Sequence, residues 1–559
     1  GLGLLQPHLI QVAIDEHLTT GNADGFGLLL LAFAGTIAGA FGLQFAQFYL
    51  MQVAGQKALN DLRLAVFEHV QRLSISFFHK NPVGRLLTRL TTDIDSLQEA
   101  LAFGAVTIVG DIFTLIAIVV ILLVKSWQLA LVTFAVVPFL VLLTFVFRIL
   151  LRAANRALRV KIARLNAFLQ ESVTGMAIVQ LFAHERRSRR QFDEINAEHR
   201  DASIRMIRWD AALFAIVEMI SAIAVACIIW YGAGKTVQDV VSLGLLVAFI
   251  EYVQKFFVPI RDLSQKYSMI QSAMASSERI FQLLDTHDVI PDAPHGRTID
   301  TLAHRIEFRN VWFAYSGENW VLRDVSFTIE RGEKVAVVGH TGAGKTTLIG
   351  LLTRMYDVNR GAILVDGVDV REYRLGELRR MFSVVLQDCF LFSGSIGDNI
   401  TLRSPRVSDS DVVQAAEIVH VDRVVSRHEK GFDHVVSERG ANLSAGERQL
   451  IAFARALAHR PEVLILDEAT ANVDTETEAL IQEAIEAMLT RQTSVVIAHR
   501  LSTIQRADKI LVLHGGELVE EGSHESLVAR GGLYSKLVRL QYDAMSGAST
   551  PPSQAHDHQ

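Results

Sequence analysis

The chain has only two cysteines in 559 residues, Cys227 and Cys389. Their separation excludes a disulfide framework and any zinc-ligand spacing. Charge is also sparse: 20% of residues are charged, where soluble domains carry about 25%. The net charge of −6 supplies no broad basic face for nucleic acid. What is present is apolar: 50% of residues are hydrophobic, and mean hydropathy is +0.28. The long apolar runs fill residues 1–285 and then stop. That distribution excludes a simple soluble enzyme, a disordered protein and a fibrous repeat.

A membrane-crossing helix needs about 20 mostly apolar residues. Runs of that kind lie at 26–50, 101–124, 128–150, 211–231 and 243–260. Residues 1–14 read as the end of one more span, cut short where the chain starts. Ile112–Val124 and Ala130–Phe147 hold no charge, and their length argues against buried core helices. Lysine and arginine crowd segments 55–98 and 148–208, whereas Asp15–Gly25 has none. The positive-inside rule therefore places both basic segments, and the C-terminal half, in the cytoplasm.

The cytoplasmic segments are long and helix-prone, and read as levers toward a cytoplasmic partner domain. Residues 151–180 continue the fourth span until Gly175, and about 30 helical residues project roughly 45 Å. Phe77–Pro82 is expected to interrupt the first excursion, and Arg186–Ile195 to turn the second. Asp111, Glu218, Glu251 and Lys255 fall at membrane depth, where ionisable groups face a cavity or a partner. Glu251 and Lys255 are spaced to pair on one helix face, which is expected to line a polar substrate cavity.

After a linker at 286–303, with Pro291, Pro294 and Gly296, the pattern becomes soluble α/β. The apolar run Lys334–Val338 enters Gly339-His340-Thr341-Gly342-Ala343-Gly344-Lys345-Thr346-Thr347. This is the phosphate-binding pattern G-x-x-x-x-G-K-[ST], followed by a helical segment. Its glycines let backbone N–H groups close on phosphates, and the helix N-terminus adds a favourable dipole. Lys345 is expected to reach the outer phosphates and Thr346 a magnesium ion. A second run, Val463–Leu466, ends in Asp467-Glu468, where open α/β sheets bind ligands. Asp467 suits magnesium, and Glu468 suits polarisation of the attacking water. A third run, Ser494–Ala498, ends in His499, placed to contact the same phosphate.

Region 304–541 resembles the nucleotide-binding domain of ATP-binding-cassette transporters. The decisive segment is Leu443-Ser444-Ala445-Gly446-Glu447-Arg448-Gln449, which looks like that family's signature. The resemblance implies that Gln387 is the glutamine-loop residue and a magnesium contact. It implies that Tyr315 stacks on adenine, that His499 is the switch histidine and that Ala471–Asp474 is the D-loop. Glu438-Arg439-Gly440 resembles the segment that touches the membrane levers. Ser444, Gly446 and Glu447 then meet ATP across a dimer.

The implied architecture is a six-helix exporter membrane domain at 1–285, its first helix truncated, then the linker and an α/β P-loop domain at 304–541. A disordered tail follows at 542–559. The implied function is ATP-driven export of amphipathic drugs, lipids or peptides by alternating access, with ATP and Mg2+. The chain is read as one half of a dimer in a lipid bilayer, bacterial inner membrane by its signature and composition. Ala445 stands for the usual glycine, and Glu447 for the usual glutamine, while Glu468 is intact. That combination favours a heterodimer over a homodimer. A siderophore-type importer on the same fold, and an ATP-gated channel or regulator, remain as alternatives.

Overall fold

The computed structural model describes residues 2–100, 106–236, 241–293, 295–467, 475–490, 492–498 and 500–545. The chain divides into two bodies: Gly1–Gln71 with Val83–Thr286, and Arg72–Pro82 with His287–Gln559. Pro294 and residues 546–559 lie outside the described residues, while 542–545, expected to belong to a disordered tail, continue the helix Leu533–Met545.

The first body is helical. Among the described residues, five helices are long and apolar enough to cross a membrane: Phe26–Arg72, Thr107–Lys125, Trp127–Thr174, Glu185–Thr236 and Leu243–Ile260. The helix Phe26–Arg72 has 47 residues and Glu185–Thr236 has 52, so both exceed the roughly 20 residues that a bilayer needs. Leu129, Leu140, Ile220, Ala224, Ile228 and Phe249 form part of a fully buried core between the helices.

Three local expectations change. The second excursion turns earlier than Arg186–Ile195. The helix Val137–Thr174 ends at Gly175, a short helix Met176–Leu181 follows, and Ala183 adopts a left-handed φ of 50°. The four arginines 186, 187, 189 and 190 lie in the first turns of the next helix, on its solvated surface. In the first excursion, Phe77–Lys80 is itself helical, within Ile75–Lys80, and the breaks flank it. Ser74 starts that helix by accepting from Phe77 N at 3.3 Å. Among the described residues, finally, Lys255 makes no close ion pair with Glu251. Its ammonium donates instead to Gly3 O at 2.7 Å and Gln6 Oε1 at 3.0 Å. Asp111 does find a charged partner, Lys266, which is 155 residues away.

The second body carries two large sheets. Its strands are β1 (Arg305–Ala314), β2 (Trp320–Glu330), β3 (Lys334–Val338), β4 (Arg360–Val365), β5 (Val368–Asp369) and β6 (Phe382–Val385). They continue with β7 (Gly394–Ser395), β8 (Val435–Val436), β9 (Val463–Asp467), β10 (Thr493–Ile497), β11 (Lys509–His514) and β12 (Glu517–Gly522). One sheet runs β2-β1-β4-β5 and the other β12-β11-β3-β10-β9-β6. In the second sheet β6, β9, β10, β3 and β11 are parallel, and β12 alone is antiparallel. The apolar runs seen in the sequence are buried on both faces, as a parallel sheet requires. Val335 and Val337 enter one core, shared with the antiparallel sheet, while Ala336 and Val338 enter the other, shared with the helices.

Candidate functional site

Strand β3 delivers the phosphate loop, and the helix Lys345–Leu352 follows it directly. Gly344 sits at the start of that helix with φ of 100°, a left-handed conformation that favours glycine. A Cβ there would lie 2.5 Å from Leu322 Cδ2. At Gly339 the constraint is crowding, because a Cβ would meet Leu513 O at 2.3 Å. His340, Thr341, Gly342 and Thr346 face solvent, while Ala343, Lys345 and Thr347 are buried. Lys345 Nζ donates to Gly339 O at 2.7 Å and His340 O at 3.1 Å, so the ammonium is held inside its own loop. Burial pushes the Lys345 ammonium below the usual lysine range, and Asp467 pulls it back toward the charged form.

Asp467 closes β9, two strands from β3 across β10. Gln387 is exposed two residues beyond β6, the strand on the other side of β9. The sheet therefore brings the phosphate loop, Asp467 and Gln387 to the carboxyl ends of near-neighbour parallel strands, where such sheets bind ligands. Tyr315 follows β1 and is 44% exposed, so its ring is free to meet a planar base. Its hydroxyl shares a hydrogen bond of 2.9 Å with Thr347 Oγ1. Glu468, His499 and Ala471–Asp474 lie outside the described residues.

The signature residues sit elsewhere, at the start of the helix Ala445–Ala458. Among the described residues no hydrogen bond or ion pair joins Ser444, Gly446 or Glu447 to the phosphate loop. Ser444 Oγ accepts from Glu447 N at 3.2 Å, and Glu447 Oε2 accepts from Ser444 N at 2.8 Å. This reciprocal cap satisfies two donors that a helix start leaves open. The pattern S-x-x-E was legible in the sequence and gives Glu447 a local role that its departure from glutamine obscured. Arg448 Nη1 donates to Leu443 O at 2.8 Å and fastens the preceding turn. Arg455 donates to Phe390 O at 2.9 Å and Asn399 O at 2.8 Å, so the stretch after Gln387 is tied to the signature helix.

Two family models divide the chain along the same lines. The ABC transporter transmembrane region matches residues 1–260, and the ABC transporter model matches residues 322–471. The chain is also 39% identical over 544 residues to the uncharacterized ABC transporter ATP-binding protein YknV of Bacillus subtilis, covering 96% of this chain and 89% of the relative. The chain belongs to the ABC transporter family. It is 36% identical over 534 residues to the ATP-dependent lipid A-core flippase of Syntrophus aciditrophicus, with 96% and 89% covered. Among solved structures it is similar to a bacterial Atm1-family ABC exporter with ATP bound, with a TM-score of 0.78, 30% identity, and 98% and 96% covered. The fold is a helical transmembrane domain followed by an ATP-binding α/β domain, in an integral membrane protein. Its activity is ATP hydrolysis coupled to transport, consistent with export, and such transporters act as dimers.

Proposed function

We propose that this ABC transporter is one half of a bacterial inner-membrane exporter for amphipathic molecules, with its ATP-binding half in the cytoplasm. The observation that carries the reading is the separation of the two half-sites. The phosphate loop, Asp467 and Gln387 gather at the carboxyl ends of neighbouring parallel strands, while among the described residues no hydrogen bond or ion pair joins Ser444, Gly446 or Glu447 to that loop. A complete site then needs a second copy of the domain, facing head to tail. ATP held between the phosphate loop of one half and Ser444, Gly446 and Glu447 of the other closes the pair. A ligand shifts an equilibrium only by binding its two states differently, and ATP touching both halves only when closed meets that condition.

The residue roles follow. Tyr315 stacks on the base, residues 339–347 hold the phosphates, Glu468 polarises the attacking water and His499 contacts the outer phosphate. The Thr346 hydroxyl, the Gln387 amide and the Asp467 carboxylate are hard oxygen donors of the kind Mg2+ takes. When bound, Mg2+ supplies neutralisation of phosphate charge. Boundaries at 285/286 and 303/304 separate membrane domain, linker and ATPase domain.

The amphipathic substrate class is supported by relatives named for lipid A-core and for fatty acid transport. The cytoplasmic placement rests on the basic segments 55–98 and 148–208. The second half is proposed to be a different chain. Ala445 puts a methyl at the first position of the signature helix, where the family's glycine permits close backbone approach to nucleotide.

Transport in inside-out vesicles tests the direction. Accumulation of a fluorescent amphipathic dye on adding ATP is the expected result, and its ATP-driven depletion would show import. Glu468→Gln is expected to abolish ATP turnover. Brisk hydrolysis by the purified chain as a defined homodimer would exclude an obligatory different partner.

A further inference from the structure

The segment Arg72–Pro82 belongs to the same body as the ATP-binding domain, although it interrupts the helical half in sequence. It is fastened there at two points. The first joins Ser74 to Asp288: Ser74 N donates to Asp288 O at 2.7 Å, and Ser74 Oγ donates to Asp288 Oδ1 at 2.7 Å. The second joins His79 to Tyr356, whose hydroxyl lies 2.9 Å from His79 Nδ1.

Tyr356 does not end the chain of contacts. Its ring meets that of Tyr315 nearly edge-on, with centroids 5.2 Å apart and an interplanar angle of 84°. Phe313 braces both, at 5.5 Å from Tyr356 and 4.9 Å from Tyr315. Tyr315 in turn reaches Thr347 at the phosphate loop. A continuous column therefore runs from the phosphate loop, through two tyrosine rings, to a helix of six residues, Ile75–Lys80. Edge-to-face rings hold a preferred geometry, so a shift in one ring displaces the other. Burial, with Tyr315 and Asp288 beside it, keeps the Tyr356 hydroxyl protonated and above the usual tyrosine range. The hydroxyl is therefore a stable hydrogen-bonding group at the end of the column.

We propose that Tyr356 and His79 are positioning residues that report the nucleotide base to the segment Ser74–Asn81. This rests on the reading that Tyr315 meets the base. Ordering of the Tyr315 ring by the base fixes the edge of Tyr356, and Tyr356 tightens the hold on His79. The signal is carried by the base rather than by the phosphates. It runs within one chain, so it precedes and does not need the partner's signature. Linkage makes the effect reciprocal: holding the segment in place also tightens base binding.

Hydrogen exchange of residues 75–81 in the full chain, reconstituted in lipid nanodiscs, tests the relay. Two probes are compared at saturation with Mg2+: the non-hydrolysable β,γ-imido analogue of ATP, and inorganic triphosphate, which has no base. The ATP analogue is expected to slow exchange by about two- to tenfold, the range that an edge-to-face ring contact supports. Inorganic triphosphate is expected to leave it unchanged. Tyr356→Phe keeps the ring but is expected to lose the slowing, with affinity for the analogue weakened by no more than the same coupling factor of about two- to tenfold, so that saturation is still reached. His79→Leu, a change at the segment's surface, carries the same expectation if the tyrosine variant does not fold. His79→Gln restores a hydrogen-bonding group and is expected to recover part of the effect. Equal slowing by triphosphate, or full slowing in both Tyr356→Phe and His79→Leu, would overturn the relay. Wild-type affinity for the analogue in Tyr315→Leu would instead overturn the base reading, and the relay with it.

Discussion

Ser444 and Glu447 cap the signature helix reciprocally, each accepting a hydrogen bond from the other's backbone N–H, at 3.2 Å and 2.8 Å. Both residues also stand where the proposed dimer meets ATP, so one pair sets the helix start and the surface shown to the partner. Glu447→Gln preserves an acceptor for Ser444 N and is expected to leave the unfolding midpoint nearly unchanged. Ser444→Ala removes the hydroxyl acceptor and is expected to cost about 0.5–2 kcal/mol of stability. Thermal unfolding of the reconstituted chain, followed by intrinsic fluorescence, measures both.

Lys345 is held by two carbonyls of its own loop while burial weakens its charged form. An incoming phosphate is a stronger partner than a carbonyl, because the hydrogen bond becomes fully charge-assisted. Lys345→Ala is expected to lower ATP turnover by about 10²–10³-fold, the usual scale for losing one preorganised donor. Steady-state phosphate release measures it, and turnover within a few-fold of wild type would show that Lys345 carries no transition-state charge.

Asp93 is a buried carboxylate on the helix Thr92–Glu99 that accepts from Arg279 Nε at 2.9 Å and from Ser276 Oγ at 3.1 Å. The Arg279 guanidinium holds it below the usual carboxylate range, with Ser276 and Arg89 acting in the same direction against burial. An Asp whose folded pKa is depressed contributes stability that is complete above its ordinary value, about 3.9, and is lost as pH falls through the folded value. Wild-type stability should therefore decline more steeply below about pH 4 than that of Asp93→Asn, which is expected to be less stable at neutral pH. Unfolding midpoints across pH 2–7 (roughly the span over which carboxylates titrate) decide the point.

Asp111 and Lys266 form an ion pair between two membrane helices, with side chains 29% and 19% exposed. Removing one charge leaves the other in surroundings that solvate it poorly. Lys266→Ala or Asp111→Ala is expected to cost up to about 3 kcal/mol, and the exchanged double variant Asp111→Lys, Lys266→Asp should recover much of it. A double-mutant cycle on unfolding in detergent gives the coupling. Additive single effects would mean that the pair is incidental.

The parallel sheet and its phosphate loop were legible because they are local. Apolar runs such as Val463–Leu466 announce strands buried on both faces, and Gly339–Thr347 is one uninterrupted motif. Placing Asp467 beside the loop required only that it follow such a strand, whereas Gln387 is implied by the family resemblance alone. Long-range contacts were not legible. The i,i+4 spacing of Glu251 and Lys255 suggested a pair, yet Lys255 is held by Gly3 and Gln6 from the far end of the sequence. The segment Arg186–Ile195 reads in sequence as a turn, but it lies in the helix Glu185–Thr236 with its arginines solvated, and the real turn uses Gly175 and a strained Ala183. Nothing local links His79 to Tyr356, which are 277 residues apart.

The inclusion of Arg72–Pro82 in the second body bears on how that body can be produced by itself. A fragment begun at His287 would leave Asp288 without Ser74, and Tyr356 without His79. Supplying Arg72–Pro82 as a separate peptide, or grafting it ahead of His287 through a flexible tether, would fill both seats. A piece that keeps both contacts is thus discontinuous in sequence, and a boundary drawn at the linker removes their outer partners.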